Sequence, residues 1–152
     1  MTERTSSAAP MRRILAVTDG SPGSERALDV AAALAAATHG TLSIVTVEEP
    51  LSIGQERQLM RAGDGVGDVL DAVSDQILRS AADRARAAGA ADVQCQTAWG
   101  DPTMMLIDIA KRLSCDAIVV GRRGRGQLAG LLLGSVSQKL VCLAPCTVIV
   151  VP

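Results

Sequence analysis

The 152-residue chain contains no phenylalanine and no tyrosine, and Trp99 is its only aromatic residue. Its core must therefore be aliphatic, and the 48% of hydrophobic residues comes from Ala, Val, Leu and Ile. Such a core suits a sheet packed by helices. The lack of aromatics also removes the stacking platform used to hold single-stranded nucleic acid. A net charge of −1 gives no general attraction to nucleic acid or to an anionic membrane. One histidine, His39, is too few for a histidine-based zinc site. No apolar run approaches a membrane span, and the opening MTERTSSAAPMRR lacks the apolar segment of a secretory signal. None of Cys95, Cys115, Cys142 and Cys146 forms a CxxC pair, and all lie in or beside apolar segments. They read as reduced core residues of a cytoplasmic protein.

What is present is organised as one domain. Residues 1–10 read as a flexible tail and 11–152 as the folded unit. RILAVT (13–18) is a buried strand. It stops at Asp19-Gly20-Ser21-Pro22, where Ser21 as N-cap and Pro22 at the first helical position start an Ala-rich helix. Gly40 is placed to take the left-handed cap at its end. TLSIVTV (41–47) is the second strand. Residues 48–65, with Gly54, Gly63 and Gly65, read as a loop with room for a helical stretch, and their length is compatible with a lid. From Val66, the positions Val69, Leu70, Val73, Ile77 and Ala81 recur at helical spacing. DVQCQTAW (92–99) alternates as an edge strand does. Asp101-Pro102 starts a helix with Met105, Leu106, Ile109, Ala110 and Leu113 on one face. DAIVVG (116–121) is a strand. Ser135 starts the last helix, with Gln138 at capping-box spacing, and CTVIVV (146–151) is the final strand.

Strands alternating with helices predict an α/β fold: a single open parallel five-stranded sheet with helices on both faces. RILAVT and DAIVV are the most uniformly apolar strands and belong in the middle, while DVQCQTAW belongs at an edge. The order 3-2-1-4-5 satisfies both. Ligands bind such sheets beyond the carboxyl ends of the strands, where the order reverses. That point lies between strands one and four and brings Asp19 beside VVGRRGRGQLAGLLLGSVSQ (119–138).

This stretch has the parts of a phosphate cradle. Gly121, Gly124, Gly126 and Gly130 allow close backbone approach. Gly134-Ser135-Val136-Ser137 presents amides at a helix start, where the dipole favours an anion. Arg122, Arg123 and Arg125 can add charge-assisted hydrogen bonds. It is neither a Walker loop, since GxxxxGK[ST] is absent, nor a GxGxxG dinucleotide fingerprint.

The spacing Gly121-x2-Gly124-x9-Gly134-Ser135 resembles the G-x2-G-x9-G-[ST] mark of the ATP-binding branch of the universal stress protein family. The resemblance extends from about Met11 to Pro152 and includes ILAVTDGS, Gly100-Asp101-Pro102 and the terminal CTVIVVP. It implies a Rossmann-like fold of the adenine nucleotide alpha hydrolase-like kind. It also implies a site in which Val17, Thr18 and Asp19 line the nucleoside pocket, with Asp19 near the ribose or phosphates. Val47 would offer its backbone to adenine, and Val120 and Gly121 would wall the ribose. Gly124, Gly134, Ser135, Val136 and Ser137 would bind the phosphates. Arg123 sits where relatives often carry histidine or another polar residue. The implied cofactor is ATP, with Mg²⁺ or Mn²⁺ accompanying the phosphates and leaning on the nucleotide itself. The resemblance further implies a homodimer through the last strand, 146–151, whose apolar edge needs a cover.

The expected function is nucleotide-dependent binding in a stress response, with an unnamed protein partner and slow or no ATP hydrolysis. No histidine and no carboxylate pair joins the inferred site. Preference for AMP or cyclic AMP, or an interaction module independent of nucleotide, remains an alternative. An adenylate-forming ATP pyrophosphatase is a third, since TDGSPGS faintly resembles the loop of those enzymes but lacks SGGxDS. Blander roles stand beside these. Asp19 can simply cap a turn, and His39 suits a helix end. Trp99 can pack at the end of the edge strand, and Met104 and Met105 can fill the core. Leu131, Leu132 and Leu133 can anchor the loop or face a partner.

Overall fold

The apolar runs become five strands, β1 (Arg13–Val17), β2 (Thr41–Glu48), β3 (Asp92–Trp99), β4 (Ala117–Gly121) and β5 (Thr147–Val151). The structure is a computed structural model that describes residues 9–63, 66–124 and 132–152. The strands form one parallel sheet in the order β3-β2-β1-β4-β5, the order expected from apolarity. Every residue of β4 is buried, whereas β3 is largely open. The helices are α1 (Pro22–Thr38), α2 (Ile53–Ala62), α3 (Val66–Ala87), α4 (Pro102–Arg112) and α5 (Ser135–Leu143). Of the expected tail, residues 1–8 lie outside the described residues, as do Arg125, Gly126, Gly130 and Leu131.

Alternate strand positions feed two core layers. Ile14, Ala16, Leu42, Ile44 and Val119 pack with α1 and α3, which meet them through Leu28, Leu78 and a set of alanines. Leu15, Val45, Ile118 and Val120 pack with α4 and α5 through Leu106, Ile109 and Leu140. Side chains such as Ile14, Leu15 and Leu106 are sealed from solvent, and each such burial contributes about 1.5–3 kcal/mol.

The helix starts follow their sequence signals, with one exception. Ser21 caps α1 by accepting from Ser24 N, with Pro22 at the first position. Asp101 caps α4 by accepting from Met104 N at 3.0 Å. For α5, however, the N-cap is Gly134 rather than Ser135, and no side chain caps that end. Ser135 lies inside the first turn instead. At the end of α1, His39 and not Gly40 takes the left-handed conformation, with φ of 51°. Gly40 is required for a different reason: a Cβ there would sit 2.3 Å from the carbonyl oxygen of Arg12.

Other expectations are corrected by the fold. Residues 48–65 contain a full helix, α2, closed by a Ser52–Gln55 capping box, although none of its residues is buried. The apolar stripe of α3 is only half used. Val69, Leu70 and Val73 are exposed, and among the described side chains of α3 the first buried one is Ser74. The reason is geometric: Ser74 Oγ donates to Glu48 Oε1 at 2.5 Å, and Glu48 ends β2, so the earlier turns of α3 run past the sheet. Met104 is exposed rather than core. Among the cysteines Cys115 is buried and Cys146 half-buried, but Cys95 and Cys142 are exposed, and all four are free thiols. Trp99 is 54% exposed.

Candidate functional site

A cleft of about 560 Å³ opens where β1, β2 and β4 end. β1 delivers Val17, Thr18 and Asp19; β2 delivers Val47; β4 delivers Val120 and Gly121. The segment after β4 adds Arg123 and Gly124, and the start of α5 adds Gly134, Ser135, Val136 and Ser137. All twelve residues singled out from the sequence thus line one cavity. They converge because β1 and β4 are neighbours whose connections leave in opposite directions, the geometry of a switch point.

The corner between β1 and α1 is held by short polar contacts. Asp19 Oδ1 accepts from Ser21 N at 2.9 Å. Ser24 Oγ donates to the Ser21 carbonyl at 2.9 Å and lies 3.4 Å from Thr18 Oγ1. Gly121 permits α1 to reach this corner, because a Cβ on it would stand 2.9 Å from the carbonyl carbon and oxygen of Gly23. At Gly124 a Cβ would stand 2.9 Å from Asp19 Oδ2. Asp19 therefore both braces the turn and lies over the glycine strip, so its capping role and its place in the cleft coexist.

The α5 end is built differently. Gly134 N donates to the Arg122 carbonyl at 2.8 Å. The Ser137 hydroxyl is 2.9 Å from the same carbonyl and 3.0 Å from that of Gly134. Ser137 is nearly fully buried, so its hydroxyl fastens backbone, and what it offers the cleft is its amide. The Ser135 side chain is exposed. α1, α2 and α4 each have a side-chain cap, and α5 has none. The first amides of a helix have no partner within it and carry its positive pole.

Charge is distributed less evenly than the sequence suggested. Arg123 lines the cleft, and its Nε is shut away from solvent with no hydrogen-bond partner among the described residues. Arg122 instead lines a separate cavity. Reading the sequence missed Ser24, Thr46, Glu48, Glu49 and Pro102, which also line the cleft. Glu48-Glu49 at the end of β2 carried a signal, since strand ends at a switch point face the ligand. His39 closes α1 near the amino end of β2, away from the cleft. Among the described residues no three His, Cys, Asp or Glu side chains gather as metal ligands. None of the described helices is long and apolar enough to cross a membrane.

Comparison with known proteins places this architecture among relatives. The family model of the universal stress protein family matches residues 10–152. The universal stress protein Rv1636 of Mycobacterium tuberculosis is 33% identical over 145 residues, covering 92% of this chain and 95% of its own. YxiE of Bacillus subtilis is 31% identical over 153 residues, covering 91% and 97%. Among solved structures, a universal stress protein in complex with cAMP is 33% identical with a TM-score of 0.73, covering 94% of this chain and 98% of its own. UspA from Lactobacillus plantarum, at 23% identity, shares the fold with a TM-score of 0.81, covering 95% and 99%.

Proposed function

The chain belongs to the universal stress protein family, and we propose that it is an adenine-nucleotide-dependent binder whose ligand is ATP. The observation that carries this reading is the uncapped start of α5 facing the cleft. Amides there can take phosphate oxygens without displacing an internal partner. Gly124 and Gly134 leave the backbone bare at the same end, and Arg123 brings charge. The base would lie toward Val47 at the end of β2, with Val17 and Val120 as apolar walls and Asp19 near the ribose or phosphates. The carboxylates at hand do not form a cage, so Mg²⁺ or Mn²⁺ would be held chiefly by the phosphates, and no chemical step is assigned to it.

Among the described residues the cleft offers the carboxylates of Asp19, Glu48 and Glu49 and no His, Cys or Lys for chemistry. Asp19 is the carboxylate beside the phosphate end, and it already accepts from Ser21 N. Slow hydrolysis is the most this supports. Robust turnover with Mg²⁺ that disappears in Asp19→Ala would overturn the non-catalytic reading. The direct test of binding is a calorimetric titration of nucleotide-free protein with ATP and Mg²⁺, beside Gly134→Val. Binding by the wild type and none by the variant is the expected result. An inert wild type would refute it.

A second reading concerns which nucleotide. A relative 33% identical over nearly the whole chain was solved with cAMP, which favours a monophosphate occupant. Titrating AMP, cAMP and ATP side by side separates the two. We also propose self-association, which the exposed sheet edge supports. β5 is an edge strand, and its Val148, Ile149 and Val150 are half-buried. A second copy pairing along this edge, in the cytoplasm, would cover it. Light scattering should give a dimer, and a monomer at micromolar concentration would exclude it.

A further inference from the structure

A second cavity, of about 230 Å³, lies across the Arg123–Gly124 strip from the nucleotide cleft and shares only that strip with it. Arg26 from the first turns of α1, Arg122 and Arg123 all line it, and no acidic side chain does among the described residues. The base of this cluster is hydrogen-bonded to β5 and to the start of α5. Arg122 N donates to the Val151 carbonyl at 2.7 Å, and the Arg122 carbonyl receives Gly134 N and the Ser137 hydroxyl. The Arg26 guanidinium is folded back over its own helix start: its Nη2 is 3.8 Å from where a Cβ on Gly23 would stand, and its Nε donates to the Pro152 main-chain oxygen at 2.9 Å. Arg123 adds the guanidinium whose Nε has no hydrogen-bond partner among the described residues.

Three arginines line one hollow and no Asp or Glu side chain does among the described residues; like charges gathered in this way repel one another and are stabilised by an anion. The fork geometry of arginine suits a phosphoryl group in particular. We propose that Arg26, Arg122 and Arg123 form a second, separate site for a phosphoryl anion. Its occupant is free phosphate or the far end of a polyphosphate chain crossing Gly124 from the neighbouring cleft. Only the latter source rests on the nucleotide reading above.

The test is calorimetry on the nucleotide-free full chain at fixed ionic strength, with orthophosphate, tripolyphosphate, AMP and ATP as probes. Wild type is compared with Arg26→Gln/Arg122→Gln, with Arg26→Gln alone, and with Gly134→Val. Thermal melts establish that each is folded. The double variant should bind tripolyphosphate roughly tenfold or more weakly and AMP as the wild type does. Arg26→Gln alone should show a smaller loss in the same direction, which keeps the test informative if the double variant does not fold. Gly134→Val should retain tripolyphosphate binding. Orthophosphate binding that persists with AMP bound identifies free phosphate as the occupant. A selective loss of ATP over AMP affinity in the double variant identifies the polyphosphate chain. Tripolyphosphate binding equal in wild type and folded arginine variants overturns the site, as does a wild type that binds neither anion. Failure of both AMP and ATP to bind wild type would instead refute the nucleotide reading, leaving the arginine site to be judged by tripolyphosphate.

Discussion

Replacing Gly121 and Gly134 by alanine should separate a glycine needed by the fold from one needed by the ligand. At Gly121 the new methyl would meet the Gly23 carbonyl carbon and oxygen at 2.9 Å and Ser24 N at 3.3 Å. Ordinary contact begins near 3.4 Å, so the first turn of α1 must retreat by about 0.5 Å. Backbone atoms cannot rotate away as a side chain can, and overpacking of this kind costs about 1–3 kcal/mol. For a domain of this size each kcal/mol lowers the melting temperature by roughly 2–4 °C, giving a loss of about 2–12 °C. The Asp19–Ser21 corner moves with that turn, so nucleotide affinity should fall as well. At Gly134 the nearest atoms to a new methyl are the Arg122 carbonyl oxygen at 3.4 Å and Arg123 Cα at 3.5 Å. Alanine therefore fits the free protein, and the exchange at the N-cap should cost below about 1 kcal/mol. If phosphate approaches the α5 amides closely, Gly134→Ala should still lose roughly tenfold or more in ATP affinity. Differential scanning calorimetry supplies the first quantity and isothermal titration the second. A Gly121→Ala protein as stable as wild type, or a folded Gly134→Ala protein that binds ATP normally, would refute the respective argument.

Gly40→Ala should be among the most damaging single-methyl additions, because its Cβ would lie 2.3 Å from the Arg12 carbonyl oxygen; a melting temperature within 1–2 °C of wild type would contradict it. Asp116 accepts from Arg12 N at 2.9 Å and Arg13 N at 2.8 Å, and chiefly through the Arg13 amide its carboxyl is held below the ordinary value. Its contribution should thus be complete above about pH 4 and vanish as pH falls through the lowered value. Asp116→Ala should cost about 1–3 kcal/mol at pH 7, and the gap from wild type should close in acid; a gap that stays constant to pH 2 would show the carboxylate is not responsible. Burial, with Cys146 and Asp116 nearby, pushes the Cys115 thiol up to about 11. At pH 7.5 a maleimide should therefore modify exposed Cys142 well before Cys115, and mass spectrometry of the digested protein reports the order.

The sheet order was readable because burial leaves a direct trace in composition. IVV in β4 and ILAV in β1 have no polar partner face, while QCQT in β3 does. The cleft was readable for a related reason: once the order is known, strand ends at the reversal must share a space. Other features depend on distances that no residue pattern records. The choice between His39 and Gly40 for the left-handed position turned on how near Arg12 passes, which is a tertiary fact. The stripe Val69, Leu70 and Val73 has helical period but lies beyond the end of β2, and period alone does not say where a sheet stops. Arg122 and Arg123 are adjacent in sequence, yet only Arg123 reaches the cleft while both line the smaller cavity, because the strip they sit on is a wall with two sides. Helix α2 was masked by its polarity: its stability rests on the Ser52–Gln55 cap rather than on a buried face.

The indole of Trp99 gives this protein an unusual optical character. With no other aromatic residue in the chain, intrinsic fluorescence arises at one place, the carboxyl end of β3, where Trp99 pairs in register with Glu48 beside the mouth of the cleft. The aliphatic core emits nothing. Emission would therefore follow fraying of this sheet edge, or events at the cleft mouth, while the far-ultraviolet dichroism follows the helices. Divergence of the two signals during denaturation would report on the edge strand alone, without any introduced label.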